Sequence, residues 1–134
     1  MEKISKSFLK DSYFIADLKL CTIRLIDNSK FPWIILIPNR KKITDIFQLK
    51  KKDQNLLMQE IVYVSKVIKK NFKAYNLNIE KIGNIVSQLH IHIIARSKED
   101  SSWPLSVWVV KKKNYSKIAL EKTILKIKKN FKAK

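Results

Sequence analysis

The chain has few of the residues that build common metal and disulfide sites. Its 134 residues include one cysteine, one glycine and two histidines. A disulfide needs two cysteines and a zinc finger needs several Cys or His ligands, so Cys21 alone excludes both as internal structural devices. A single cysteine is typical of a protein in a reducing compartment, and we expect a cytoplasmic location.

Long apolar runs are also missing. The longest run, residues 33–38, is far too short to span a bilayer, and residues 1–11 mix lysines with isolated apolar residues instead of forming a secretory signal. A chain of this length can bury about two-thirds of its unfolded surface, which is enough for one core. We therefore expect a single domain over residues 1–134, with no membrane partner.

The charge is strongly unbalanced. There are 29 basic and 11 acidic residues, giving a formal net charge of +18. Such an excess attracts polyanions, although a lysine-, isoleucine- and asparagine-rich chain is also what an AT-rich coding sequence produces. Only three residues are arginines, at positions 24, 40 and 96. Because arginine is the better bidentate reader of bases and phosphates, we expect no specific nucleic-acid partner.

Local patterns predict an alternation of strands and helices. Short apolar runs at residues 13–18, 21–26 and 31–38 predict strands, the last of them central and buried on both faces. Residues 27–30 suit a turn, and the only glycine, Gly83, suits a backbone position with positive φ or close ligand approach. An apolar stripe predicts a helix over residues 51–75, formed by Leu57, Ile61, Val64, Ile68, Phe72 and Tyr75. A second stripe predicts a C-terminal helix over about residues 115–131, formed by Leu120, Ile124, Ile127 and Phe131.

Both histidines fall within residues 88–96, where polar and apolar residues alternate. In a strand, one face would carry Gln88, His90 and His92, and the other Leu89, Ile91 and Ile93. Three interpretations fit this spacing. The pair could belong to a metal site that lacks further His or Cys ligands, it could be two half-buried polar residues, or one imidazole could be a nucleophile that its neighbours orient.

The wider segment, residues 83–94, resembles the signature of the histidine triad (HIT) family. That signature has three histidines at alternate positions after a glycine-containing turn. Here Gln88 stands at the first position, His90 at the second and His92 at the third, as in a bacterial-type branch with its first histidine replaced by Gln. The resemblance extends over residues 8–110 through a turn aspartate, Phe-Pro-Trp at 31–33 and Trp-Pro at 103–104.

The resemblance implies a fold and a chemistry. The fold is a HIT-like α+β domain with an antiparallel sheet of about five strands, one long helix on it, a C-terminal helix and a homodimeric assembly. The chemistry is attack of the middle histidine on the α-phosphate of a nucleotide, giving a nucleotidyl-histidine that water resolves. No metal or cofactor is implied.

The resemblance also implies roles for individual residues. His90 is the nucleophile, His92 donates to the phosphate oxygens, and Gln88 can orient groups but cannot titrate. The implied nucleotide contacts are Leu25 and Asn28 beside the base, Asp27 at the ribose hydroxyls, Asn78 near the sugar-phosphate, and Gly83 and Asn84 at the phosphates. A plain turn role for Asp27 is the alternative. Ile85 departs from the family, where a serine or threonine hydroxyl is common.

Three functions are compatible with these residues. The first is a nucleotide hydrolase or nucleotidyl transferase acting on a nucleoside phosphoramidate or a dinucleoside polyphosphate. The second is a nucleotide-binding or sensor protein with weak or no catalysis. The third is a basic, nucleic-acid-associated HIT protein.

Overall fold

The structure, a computed structural model, describes residues 4–131. Its helices and strands follow in the order α1 (Lys6–Asp11), β1 (Ser12–Asp17), β2 (Cys21–Ile26), β3 (Trp33–Pro38), α2 (Lys51–Phe72), β4 (Asn76–Glu80), β5 (Ile91–Arg96) and α3 (Lys117–Lys128). The five strands form one sheet in the order β1-β2-β3-β5-β4, and every neighbouring pair is antiparallel. The predicted α+β architecture with a five-stranded antiparallel sheet is therefore confirmed.

The central strand β3 is an almost uninterrupted apolar run, and all six of its residues are buried. The strand was predicted to begin at Phe31, but it begins at Trp33, since Pro32 has no N–H to donate to a neighbouring strand. Its side chains alternate between two apolar clusters. Ile34 and Leu36 pack on the face covered by α2, and Trp33 and Ile35 pack on the other face.

Helix α2 presents the predicted stripe to the first of these faces. Leu57, Ile61, Val64 and Ile68 are buried there. The helix ends at Phe72, because Lys73 adopts the left-handed conformation (φ 48°) and donates its N–H to Lys69 O. The prediction that the helix continues to Tyr75 was wrong, and that side chain is exposed.

Helices α1 and α3 lie near the two ends of the described chain and pack on opposite faces of the sheet. In α3, Ile127 is buried and Leu120 and Ile124 pack on the core together with Phe131, which confirms the predicted stripe. The side chain of Ser116 caps this helix by accepting from Ala119 N–H. Helix α1, which the sequence patterns did not predict, places Phe8 in the cluster on the face opposite α2.

A buried arginine organises the segment after β5. Arg96 is 2% exposed and ion-pairs with Asp100 at 2.8 Å. Its guanidinium also donates to Ser102 Oγ and to Leu105 O. Residues 97–110 are thereby tied to the sheet on the face opposite α2. None of the helices within residues 4–131 is long and apolar enough to cross a membrane.

Candidate active site

A pocket of about 480 Å³ opens on the sheet face opposite α2. Helix α1 contributes Phe8 and Asp11 to its lining, and residues 82–86, which connect β4 to β5, contribute another wall. The rings of His90 and His92 also line it, although they are only 6% and 4% exposed. The predicted alternation thus places both histidines on the face opposite the α2 core, where they meet in one cavity.

His90 lies immediately before β5 and is held by the backbone of its own segment. Its Nδ1 is 2.7 Å from the carbonyl oxygen of Gln88. Because a carbonyl oxygen only accepts, the proton of a neutral His90 belongs on Nδ1 and the lone pair on Nε2. The Phe8 ring packs edge-to-face on this imidazole, with centroids 4.6 Å apart. The ring is therefore oriented with an unprotonated Nε2, which is the form that can attack.

His92 stands two residues further along on the same face. The His90 and His92 ring centroids are 4.7 Å apart. The indole N–H of Trp33 donates to His92 Nδ1 at 2.9 Å, and the ring of Trp108 packs edge-on against His92 with centroids 5.5 Å apart. Trp108 is half-exposed, lines the pocket and donates its own N–H to Glu80 Oε1 at 2.8 Å.

Both imidazoles are kept uncharged by their surroundings. Burial lowers the pKa of His90, and the nearby charge of Lys81 lowers it further while the Gln88 carbonyl opposes the shift. Burial, followed by the effect of His90, lowers the pKa of His92 to about 4. Two neutral imidazoles therefore face the cavity at pH 7, one bonded to an accepting carbonyl and the other to a donating indole N–H.

These shifts predict how stability depends on pH. An unfolded histidine has a pKa near 6.5, and folded His92 has one of about 4, so the unfolded chain binds more protons between these values. The free energy of unfolding should therefore fall as pH drops from 7 to 5, measured by urea unfolding at both values. The variant His92→Asn should show a smaller fall. A wild-type protein equally stable at pH 5 and pH 7 would contradict the assignment of a buried, neutral His92.

The turn before the histidines has the positive backbone φ that the glycine at position 83 predicts. Gly83 has φ +74°. A Cβ built there would lie 3.5 Å from Lys81 Nζ and 3.7 Å from Val86 O, both ordinary contacts, so backbone conformation and not space favours glycine. Gly83 and Asn84 both line the pocket, and Ile85 beside them is 97% exposed. The predicted phosphate-contacting residues are thus next to the histidines.

Gln88 lies on the same sheet face as the histidines, but its side chain does not line their pocket. Its side-chain oxygen accepts from the backbone N–H of Ser5 at 2.8 Å, and the side chain lines a separate cavity of about 220 Å³ beside Arg24 and Thr22. The contact with His90 Nδ1 is made by the backbone carbonyl oxygen of Gln88. Strand β5 also begins later than predicted, at Ile91 instead of Gln88.

The other predicted nucleotide contacts lie away from the pocket. Leu25 is fully buried in the core on the α2 side, because the alternation of β2 sends its neighbour Ile26 to the pocket instead. Asp27 accepts from the N–H of the distant residue Tyr115 at 2.9 Å, and Asn28 accepts from Lys30 N–H at 3.1 Å within the turn. None of these three residues is among those that line the pocket with the histidines.

Asn78 is also engaged elsewhere. Its side-chain oxygen accepts from Arg96 Nη1 at 2.7 Å, so it supports the buried arginine and does not line the pocket. In contrast, Phe8, Asp11 and Trp108 line the pocket without having been predicted as site residues. The two-residue period of β2 puts Leu25 and Ile26 on opposite faces without showing which of them meets the pocket, and nothing local in the sequence indicates that residues 7–11 fold over His90.

The geometry contains no evident metal centre. Within residues 4–131, no group of three or more His, Cys, Asp or Glu side chains is arranged to hold a metal ion. The pocket brings together an imidazole oriented by a backbone carbonyl, a second imidazole on the same face, and the turn at Gly83 and Asn84.

Comparison with known proteins agrees with this geometry. Residues 8–99 match the HIT domain family. Solved histidine triad proteins from Bradyrhizobium japonicum and Sinorhizobium meliloti 1021 are 33% and 35% identical to the chain; each superposes with a TM-score of 0.92, with 96% of both chains covered. A histidine triad protein from Sulfolobus tokodaii strain 7, at 20% identity and a TM-score of 0.70 over 92% of this chain and 88% of its own, shares the fold. Comparison with curated proteins found no match. The matched residues include Phe8, Asp11, the glycine turn and both histidines, and the chain belongs to the HIT domain family.

Proposed function

We propose that the protein is a nucleotide hydrolase or nucleotidyl transferase that acts through a covalent nucleotidyl-His90, in the cytoplasm, where reducing conditions suit the free, buried thiol of Cys21. The observation that carries this proposal is the orientation of His90, whose Nδ1 is held by the Gln88 carbonyl while its ring lines the pocket. Membership of the HIT family supports a nucleotide-processing enzyme. The Sulfolobus tokodaii relative is described as nucleotide-binding.

The reaction has two steps. The His90 Nε2 lone pair forms a bond to the α-phosphorus, and the bond from that phosphorus to the leaving group breaks, with the leaving group taking a proton from solvent. Water then adds to the same phosphorus and releases a proton to solvent, the P–N bond breaks, and the nucleoside monophosphate leaves with His90 restored. The Gln88 carbonyl accepts from Nδ1–H throughout and stabilises the positive charge that builds on the attacking ring.

Gln88 stands at the position of the first triad histidine in this proposal. An amide cannot transfer protons, but the backbone carbonyl that orients His90 is present whichever side chain the residue carries. The replacement therefore leaves the nucleophile oriented and removes only a titrating group. This is the reason that we favour an active enzyme over a sensor that binds nucleotides without turnover.

Two sets of residues would hold the nucleotide. The turn at Gly83 and Asn84 is placed for the phosphates, as the sequence suggested, because both residues line the pocket. For the nucleoside we propose the apolar side chains of Phe8 and Ile26 and the carboxylate of Asp11, which can accept from ribose hydroxyls. Asp11 takes the role first assigned to Asp27, whose oxygens accept from Tyr115 N–H and Tyr13 Oη.

The lining of the pocket also favours one substrate class. In the described chain no lysine or arginine is among the lining residues, and Ile82, Ile85 and Val86 make the wall beside the glycine turn apolar. Lys81, whose charge acts on His90, is already ion-paired with Asp45 at 2.7 Å, so a polyphosphate leaving group would bring several negative charges that this wall leaves largely unneutralised. We therefore propose a nucleoside phosphoramidate, whose leaving group is an amine, over a dinucleoside polyphosphate.

Turnover and binding assays test the proposal. Purified protein is incubated with adenosine phosphoramidate or diadenosine tetraphosphate, and AMP release is followed by chromatography alongside calorimetric binding of AMP. We expect AMP release from both substrates and higher kcat/KM for the phosphoramidate. AMP binding without turnover of either substrate would favour the sensor. Binding to DNA or RNA that persists at physiological salt, with no AMP binding, would favour the nucleic-acid-associated alternative.

We also propose that the protein is a homodimer. Strand β4 is an edge strand that bears the exposed Ile79, and helix α2, which packs beside it, exposes Met58 and Val62. An unpaired edge next to apolar side chains favours association with another chain. Light scattering coupled to size-exclusion chromatography should give the mass of two chains, and Ile79→Lys should shift it towards one. A wild-type mass of one chain would refute the dimer.

A further inference from the structure

Trp33 makes a hydrogen bond whose direction is fixed by chemistry. Its Nε1–H donates to His92 Nδ1 at 2.9 Å, and both side chains are 4% exposed. An indole N–H can only donate, so His92 Nδ1 must present its lone pair to Trp33. A neutral His92 in this arrangement carries its proton on Nε2.

We propose that Trp33 is a positioning residue that fixes His92 as the Nε2–H tautomer, so that His92 donates to the phosphoryl oxygens while His90 attacks. The two adjacent imidazoles then have opposite tautomers. His90, held by a backbone acceptor, keeps its proton on Nδ1, and His92, held by a side-chain donor, keeps its proton on Nε2. The catalytic half of this inference rests on the proposed function, whereas the tautomer does not.

The surrounding rings hold this bond in place. The Trp33 ring meets His92 and Trp108 edge-on, with centroid separations of 5.7 and 5.0 Å, and Trp108 meets His92 at 5.5 Å. The edge-on rings of Trp33 and Trp108 leave the His92 ring little room to flip. Trp33 is also the only residue within 4–131 that hydrogen-bonds the imidazole of His92. The choice of tautomer thus depends on one donor.

A competing carboxylate lies close by and is already occupied. Glu80 on β4 is the register partner of His92 on β5. A carboxylate hydrogen-bonded to the imidazole would favour the charged ring or a proton on the nitrogen facing it. Glu80 Oε1 instead accepts from Trp108 Nε1–H at 2.8 Å. Of the other titratable groups, His90 faces the ring directly and is itself uncharged because of burial.

Nitrogen-15 NMR of histidine-labelled protein tests the tautomer without any substrate. At pH 7 we expect the wild-type His92 signals of an unprotonated Nδ1 and a protonated Nε2, and the reverse for His90. Trp33→Phe keeps an aromatic ring and removes the donor, so His92 should become a mixture of tautomers. The matched control is Trp103→Phe, because Trp103 packs on Tyr75 away from the pocket, and its His92 spectrum should equal that of wild type.

Kinetics test the consequence for the reaction. With adenosine phosphoramidate, Trp33→Phe should lower kcat by about tenfold, the scale of one hydrogen bond, with a small change in KM. A wild-type His92 protonated on Nδ1 would overturn the proposed tautomer even if Trp33→Phe failed to fold. An unchanged kcat in a folded variant with mixed tautomers would overturn its catalytic role. Absence of wild-type turnover would refute the proposed function while the NMR result still decided the tautomer.

Discussion

Replacing His90 with asparagine should lower kcat/KM for adenosine phosphoramidate by about 10³-fold or more, the scale of losses when a covalent nucleophile is removed. An asparagine side chain can still donate near the Gln88 carbonyl, so packing around the site is largely kept, but its amide nitrogen has no available lone pair for attack on phosphorus. Stopped assays of AMP release over long incubations would measure the residual rate.

The second histidine of the chain provides the matched control. His92→Asn removes the imidazole and its Nε2–H at that position, and not the nucleophile, so that variant should still form the covalent intermediate, more slowly than wild type. Circular dichroism would show whether both variants remain folded. Turnover by His90→Asn at near the wild-type rate would mean that the reaction uses another nucleophile or attack by water.

Replacing Arg96 with methionine should lower the free energy of unfolding by about 3–5 kcal/mol, as expected when one partner of a buried ion pair is removed. The Arg96 and Asp100 side chains are 2% and 8% exposed, so the remaining carboxylate would be buried without its counter-charge. The variant would also remove the Arg96 donor from Asn78 Oδ1, and it would leave Leu105 O with the Ser102 hydroxyl as its donor. Urea unfolding at pH 7 measures the loss.

A more exposed arginine serves as the comparison. Arg40 also pairs with an aspartate, Asp53, at 2.7 Å, but its side chain is 41% exposed. Arg40→Met should therefore cost less than about 1 kcal/mol, as for other solvent-exposed pairs. Equal losses in the two variants would mean that burial does not set the contribution of Arg96.

The parts of the fold that follow from local periodicity were predictable. A period of two places Leu89, Ile91 and Ile93 in the core, and both histidines on the other face, because alternation is a property of the strand itself. The apolar stripe of α2 follows from helical spacing, and the positive φ of Gly83 follows from the residue type, so both were predictable from short stretches of sequence. The family resemblance then supplied a chemistry for a pair of histidines whose spacing alone left three interpretations open.

The parts that depend on distant contacts were not predictable. Helix α1 has six residues, too few to be stable alone, and it exists because Phe8 packs on His90 and on the sheet. Leu25 and Ile26 differ only in which face of β2 they occupy, and that is set by the register with β1 and β3. The hydrogen bond from Tyr115 N–H to Asp27 Oδ1 joins residues 88 apart along the chain, so no local pattern indicates it.

Tandem mass spectrometry of the trapped intermediate tests the central claim most directly. Wild-type protein is mixed briefly with adenosine phosphoramidate, quenched at alkaline pH to preserve a phosphorus–nitrogen bond, digested, and the modified peptide is fragmented. We predict an adenylyl group on His90, with none on His92 or on a lysine, and no modified peptide from His90→Asn. AMP release accompanied by an adenylyl group on another residue, or by no adduct under conditions where turnover is in progress, would contradict the proposed role of His90.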